Sequence, residues 1–274
     1  MSDGIRNTTR VLRRVEPLIS VNQLKKQYLH GLETRDNEGR EIDDTTFQQY
    51  IDVAIDLMET YLDINIVERT EVEEKDHNGN EYLEWGYFQL NNIPVRKVEE
   101  IKVVYLRDAA GIPQNVLTIP ESWIRLKEHS GIVRLVPNNA FPANLQISAG
   151  GSFFPELFQR YSNIPQLWSI TYKAGFEDGK VPVLINAAIG LLAAIFALNN
   201  SADLILGAGI ASQSISIDGL SQSINSTSSA ENHNNSAKVK EYYTLLYGDS
   251  INSPNRGILR TLHDFWQAQS IQII

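Results

Sequence analysis

The residues able to do chemistry are few, and their spacing does not favour it. Leu204 to Ser212 reads LILGAGIAS, with Gly207 and Gly209 where a dinucleotide-binding turn has its first two glycines. Ser212 replaces the third. Such a cradle also needs a strand before it and a helix after it, so that the helix N-terminus meets the pyrophosphate. The SQSISIDG that follows is not a helical sequence. His30, His77, His129, His233 and His263 are scattered, and no two have helical metal-ligand spacing. His263 precedes Asp264, but no G-x-S-x-G turn supplies a nucleophile. Glu71, Glu73 and Glu74 crowd one strand beside a turn, and an acid/base pair there would depend on tertiary pairing that a sequence does not display. The chain has no cysteine, which removes disulfides, thiolate zinc sites and cysteine nucleophiles. The expectation is a protein that is not an enzyme and carries no cofactor and no metal.

The elements that would position these residues are clearer than any chemistry. The chain has 274 residues, 42% of them apolar, enough for one large core or two small ones. Its 24 basic and 33 acidic residues give a net charge of −9, a poor balance for wrapping nucleic acid. The first 20 residues lack the apolar stretch of a secretory signal. The N-x-S/T sequons at Asn7, Asn199, Asn225 and Asn234 read as chance in a Ser/Asn-rich chain. Val183 to Leu198, VLINAAIGLLAAIFAL, has one polar side chain, Asn186. A helix apolar on all sides belongs in a core or a membrane. At sixteen residues it falls short of a span of about 20, so a central core helix and no membrane are expected, with Pro182 at its first position.

Around that helix the chain reads in order. Residues 1–20 form an N-terminal arm carrying Arg6, Arg10, Arg13 and Arg14, either mobile or ordered by an acidic neighbour. Ser20 caps a short helix near 21–30. Thr46 and Gln49 form a capping box for a helix over 46–62, whose Phe47, Tyr50, Ile51, Ala54, Met58, Tyr61 and Leu62 make a core face. Asp52, Asp56, Glu59 and Asp63 make an acidic stripe on another face, a solvated surface or a site for a basic partner. Over 67–176 the period falls to two, the mark of an inserted antiparallel β-rich domain. His77-Asn78-Gly79-Asn80 predicts a hairpin between 71–75 and 81–85, and 137–166 reads as a long loop. The helices over 182–199 and 237–247 return the chain to the helical core. The expected fold class is therefore α+β, with residues 21–66 and 177–200 as the helical core.

The last third is unusual. Residues 201–236 are rich in Ser and Asn, and Asp218-Gly219 between two SQSI copies predicts a tight hairpin. It offers only Ile215, Ile217, Leu220 and Ile224 for burial. Two strands alone are marginal in water, so the hairpin must dock on something. Residues 237–274 hold a helix and then a tail in which Leu259, Leu262, Phe265 and Trp266 recur at helical spacing. Pro254 and Gly257 precede that tail, and it is expected to leave its own subunit.

Three stretches, in order, carry a resemblance: FQQYIDVAIDLMETYLDINI, then FQLNNIPVRKVEEIKVVYL, then WSITYKAGF followed by Val181-Pro182 and the apolar helix. Together they resemble the tailed-phage head–tail connector, or adaptor, proteins. In that family a helix reading F-x-x-x-I-x-x-A…E-x-Y, a strand with P-V and a Y-x-A-G-[FY]…V-P…I-x-x-A-I boundary recur. The resemblance covers about residues 21–198; the long β region and extended C-terminal third depart from the smaller members. It implies a structural virion protein, made in the bacterial host cytoplasm, that sits at the head–tail junction. Copies would form a homo-oligomeric ring, a dodecamer, beneath the portal protein. The ring would continue the DNA channel, with DNA only as passing cargo, and dock the next neck or tail protein. Under that reading Asp52, Asp56, Glu59 and Asp63 suit a channel that must not hold DNA. Ile215, Ile217, Leu220, Ile224, Leu259, Leu262, Phe265 and Trp266 suit an assembly interface. A tail-completion or baseplate protein, or a small-molecule enzyme on the β region, stands as the alternative.

Overall fold

The computed structural model describes residues 14–30, 40–78, 88–107, 109–111, 113–136, 163–206, 212–217, 220–225, 236–249 and 256–271. The chain is α+β and divides into two units. Met1–Leu62 and Gly179–Ile274 make a helical unit, and Asp63–Asp178 make a β-rich unit. In chain order the elements are β1 (Val15–Glu16), α1 (Val21–Gln23, running on as a π-turn over Leu24–Tyr28), α2 (Asp44–Leu62), β2 (Arg69–Asn78), β3 (Phe88–Gln89), β4 (Val95–Arg107), β5 (Pro113–Thr118), β6 (Ile124–Lys127), β7 (Ile132–Leu135), β8 (Asn163–Ala174), β9 (Val181–Pro182), α3 (Val183–Leu206), β10 (Ser212–Ile217), β11 (Leu220–Asn225), α4 (Ser236–Tyr247) and α5 (Ile258–Ile271).

In the helical unit α3 is the centre, and α1, α2, α4 and α5 pack on it. Ile185, Ala188, Ile189, Ala193 and Ala194 have no exposed surface. Val183–Asn200 is long and apolar enough to cross a membrane, but most of it is buried against the other helices, as a core helix is. It runs past the Asn199-Asn200-Ser201 at which the sequence predicts an end. None of the three breaks a helix as Gly or Pro does, and Asn200 Nδ2 donates to Tyr50 Oη at 3.0 Å. Pro182 lies one residue before the helix, in β9, which pairs antiparallel with β1. Residues 15 and 16 are thus held in a strand pair rather than belonging to a free arm. Gly190 lets α1 approach closely: a Cβ there would lie 2.5 Å from Tyr28 Cζ.

Ser20 caps α1 in a full capping box with Gln23, as its type and position predict. The cap of α2 differs from expectation. The helix starts at Asp44, two residues before Thr46. Asp43 precedes it and accepts a hydrogen bond from Thr45 Oγ1. That side-chain bond, reinforced by the Thr45 backbone N–H, holds the Asp43 carboxyl below its ordinary range. A carboxylate serves two orphan donors and the positive helix end at once. The far end of α2 closes at Leu62, and Asp63 takes a left-handed conformation with φ 53°, which a short polar side chain tolerates.

The β-rich unit has two antiparallel sheets, ordered β2-β8-β4-β5 and β3-β7-β6. Trp123, Trp168, Tyr172, Ile101, Ile170 and Val133 fill its core. Alternation along β4 and β8 sends one set of side chains inward, so the period-two pattern fixes the register. The turn and return strand of the predicted HNGN hairpin lie outside the described residues. The described partner of β2 is β8, Glu71 lying opposite Tyr172. Strand β8 begins at Asn163, inside the stretch expected to be loop. Pro165 lies in the part of β8 that pairs β2 but not yet β4, an edge where the missing N–H costs no ladder bond. The irregularity there is stitched by Asp76 Oδ1, which accepts from Gln166 N at 2.8 Å. Gly175, at φ 99°, sits where a Cβ would be 2.5 Å from the Val67 carbonyl oxygen, so this crossing requires glycine.

Candidate assembly surfaces

The Ser/Asn-rich segment folds as the predicted hairpin. β10 and β11 pair antiparallel, Ser212 opposite Asn225 and Ile217 opposite Leu220. Among the described strands they form a two-stranded sheet of their own. Register and the two-residue strand period sort the positions. Gln213, Ile215 and Ile217 share a face with Leu220, Gln222 and Ile224, and Ser212, Ser214 and Ser216 share the other with Ser221, Ser223 and Asn225. By register, the positions of all four aliphatic candidates therefore fall on one side of the strand pair. The short SQSI repeat signals this only once the turn is fixed at Asp218-Gly219, because a one-residue slip would split the set.

The tail candidates go elsewhere. Leu259, Leu262, Phe265 and Trp266 were expected to leave the subunit; instead all four are buried within it, Leu262 with no exposed surface. α5 packs against α2, α3 and α4, with the Phe265 and Trp266 rings edge to face at 5.0 Å. The reason lies in the chain reversal. Gly257, at φ 72°, takes the left-handed conformation, and a Cβ there would lie 2.4 Å from the Leu246 carbonyl oxygen. That tight turn lays the apolar face of α5 back on its own helices, where burial contributes about 25 cal/mol per Å². The last three residues of the tail, 272–274, lie outside the described residues.

The acidic candidates are only partly a stripe. Asp52 and Asp56 are exposed on α2, and Glu59 is half-buried. Asp63 is exposed but lies one residue beyond the helix, in the β-rich unit, so helical spacing does not align it with the others. Asp52 accepts from Gln48 Nε2 at 2.9 Å, one turn back.

Two buried polar centres escaped the sequence reading. Asn186, alone among the apolar residues of α3, pins the segment before α1. Its Oδ1 accepts from Ile19 N at 2.8 Å, and its Nδ2 donates to Glu16 Oε1 at 2.7 Å and to the Pro17 carbonyl at 2.9 Å. A single polar side chain in an apolar helix was the available signal. In the β-rich unit Tyr172 Oη donates to Glu73 Oε2 at 2.9 Å and accepts from Asn92 N and Nδ2 at 3.2 and 3.1 Å. Burial, opposed by the Asn92 donors and aided by Glu73, pushes the Tyr172 hydroxyl up to about 12. Glu73 also accepts from Asn91 N at 3.1 Å and pairs with Lys75 at 2.6 Å. Glu73, the central one of the three crowded carboxylates, thus sits in a closed hydrogen-bond network that ties β2 to β8 and to the chain before β4. Burial also pushes His77 and His129 down from the ordinary histidine value. Among the described residues no three metal-capable side chains cluster.

No protein-family model and no curated protein sequence matches the chain. Solved structures of gene transfer agent (GTA) particles contain chains similar to it. One, from the neck of an empty GTA particle computed with C6 symmetry, is 15% identical, covers 90% of this chain and 88% of its own, and has a TM-score of 0.41. A second, from the virion of a native GTA particle, is 16% identical over 90% of this chain and 89% of its own, at 0.44. A third, from the neck of a native GTA particle computed with C12 symmetry, is 15% identical over 84% and 94%, at 0.37. Overlap this loose carries no argument about function.

Proposed function

We propose that this chain is a structural protein of the neck of a tailed-phage-like particle. It assembles as a homo-oligomeric ring, twelve-fold in the family it resembles, beneath the portal at the head–tail junction of the virion. The ring continues the DNA channel, with DNA as passing cargo, and offers a platform to the next neck or tail component. The observation that carries the reading is the hairpin. Its register puts positions 215, 217, 220 and 224 on one side of a strand pair that, among the described strands, forms a sheet of its own. Such a pair is marginal alone, and strand pairs of this kind are used to dock on a second chain. Residues 212–225 are rich in Ser and contain no Lys or Arg to hold phosphate, which suits a passage for DNA. The order of the three motif stretches supports the same reading. Glu73 and Tyr172, residue types that serve in enzymes, are engaged with each other and with Asn92.

Native mass spectrometry and negative-stain imaging of the purified full chain test the proposal, alone and with the portal of its particle. Rings, or a portal complex, are expected. Ile215→Asp with Ile217→Asp should abolish them while the monomer melts as before. A chain that stays monomeric and ignores the portal overturns the proposal. Immunogold labelling of whole particles at the distal end of the tail would instead favour a tail-completion or baseplate protein.

A further inference from the structure

The core face of α2 is Phe47, Ile51, Ala54, Ile55, Met58 and Leu62. A second apolar row, Val53, Leu57 and Tyr61, is left uncovered at four-residue spacing, each side chain 46–48% exposed. This row continues across the helical unit. The Tyr61 and His263 rings lie 5.5 Å apart. Tyr243 stacks on Tyr247 at 5.9 Å, and both remain about half exposed. Asp52 and Asp56 stand beside the row, exposed. The surface is thus aliphatic, aromatic and acidic together. Carboxylates and tyrosine faces both receive guanidinium groups, by ion pairing and by stacking, while Val53 and Leu57 call for aliphatic side chains.

One segment of this same chain has that chemistry. Residues 5–14 read IRNTTRVLRR, four arginines and three aliphatics without an acid. Its root is fixed: the Arg14 carbonyl accepts from Val183 N at 3.1 Å, and β1 follows. From that root an extended chain puts Arg6 up to about 26 Å away. We infer that the arginine arm of one copy docks on the Val53–Leu57–Tyr61 face of a second copy, with Asp52 and Asp56 receiving its guanidinium groups. This deepens the ring proposal by naming a contact between adjacent subunits, and it rests on the chain self-associating. The contact is partly ionic, so it weakens as salt shortens the range of exposed charges.

The absence of native cysteine makes the test clean. Thr9→Cys and Thr60→Cys are made in separate full-length chains, which are mixed and treated with a short bismaleimide. A dimer-sized adduct is expected only in the mixture. No adduct, or an adduct of monomer size seen only when both thiols share one chain, overturns the inference. Independently, Arg6→Glu, Arg10→Glu and Arg13→Glu together should weaken self-association at least tenfold, and Asp52→Arg with Asp56→Arg should restore it. Unchanged association of the triple variant also overturns it. If native rings form and neither result appears, the arm contact alone falls. If the native chain forms no rings yet the mixed adduct forms, the ring reading falls and the arm contact between two copies stands; with neither rings nor adduct, both fall.

Discussion

The helical unit and the β-rich unit solve the same packing problem with opposite surfaces. The helical unit buries an almost wholly apolar helix, with Asn186 as its polar fixture. It leaves aliphatic and tyrosine side chains on α2 and α4 exposed. The β-rich unit also exposes single valines, Val72 and Val116 among them, but it carries several ion pairs on its sheets. Arg96 bridges Glu68 and Glu177, Lys173 reaches Glu68 and Glu99, and Lys102 meets Glu100 at 2.5 Å. Charges already paired offer little to a partner, whereas a contiguous apolar face beside exposed acids offers more. The assembly surfaces proposed above accordingly lie on the helical unit and its hairpin.

The comparison breaks most violently at the centre of α3. Ile189→Asp would place a charge where no surface is exposed, at a cost on the order of the whole stability of a domain. Insoluble or non-cooperative protein in a circular dichroism melt is expected; an unchanged melt would show that α3 is not the core. Trp266→Ala comes next. If α5 is core, as its burial shows, the variant loses about 3–5 kcal/mol in denaturant unfolding. A loss of ring formation with normal stability would return α5 to the role the sequence predicts.

Asn186→Ala should cost about 1–3 kcal/mol, since it strands the Ile19 amide and the Pro17 carbonyl. Hydrogen exchange should speed up over residues 15–19 in particular. In the β-rich unit, Tyr172→Phe should cost about 1–2 kcal/mol by leaving Glu73 and Asn92 without their partner. It also has a pH signature. The folded state holds the Tyr172 proton up to about 12, against about 10 in an unfolded chain. A group raised on folding stabilises fully below its unfolded value and loses that contribution as pH rises through the window to the folded value. The native protein should therefore weaken between about pH 10 and 12, and Tyr172→Phe should flatten that limb of an alkaline titration of stability. The smallest effect is expected at the surface: Leu57→Ser should shift monomer stability by no more than about 0.5 kcal/mol while weakening self-association, whereas Lys102→Ala should leave both nearly unchanged.

Much of the fold was legible because it rests on local rules. Apolar saturation over Val183–Leu198, the three-and-four spacing of Phe47 to Leu62, the Ser20 cap and Asp218-Gly219 each bias the backbone within a few residues. They gave α3, α2, α1 and the β10–β11 hairpin, and the switch to period two gave an α+β chain. Pairings between distant residues were not legible. That β2 pairs with β8 depends on contacts between residues such as Glu71 and Tyr172, far apart in the chain. That Glu73, Tyr172 and Asn92 share one network follows from the same pairing. The sequence by itself also determined that Leu259, Leu262, Phe265 and Trp266 form one apolar helical face. Only the tertiary structure decided whose core that face enters. Helical periodicity states that a face must be covered, and is silent on what covers it; the left-handed turn at Gly257 and the space left beside α2, α3 and α4 settled it within the subunit.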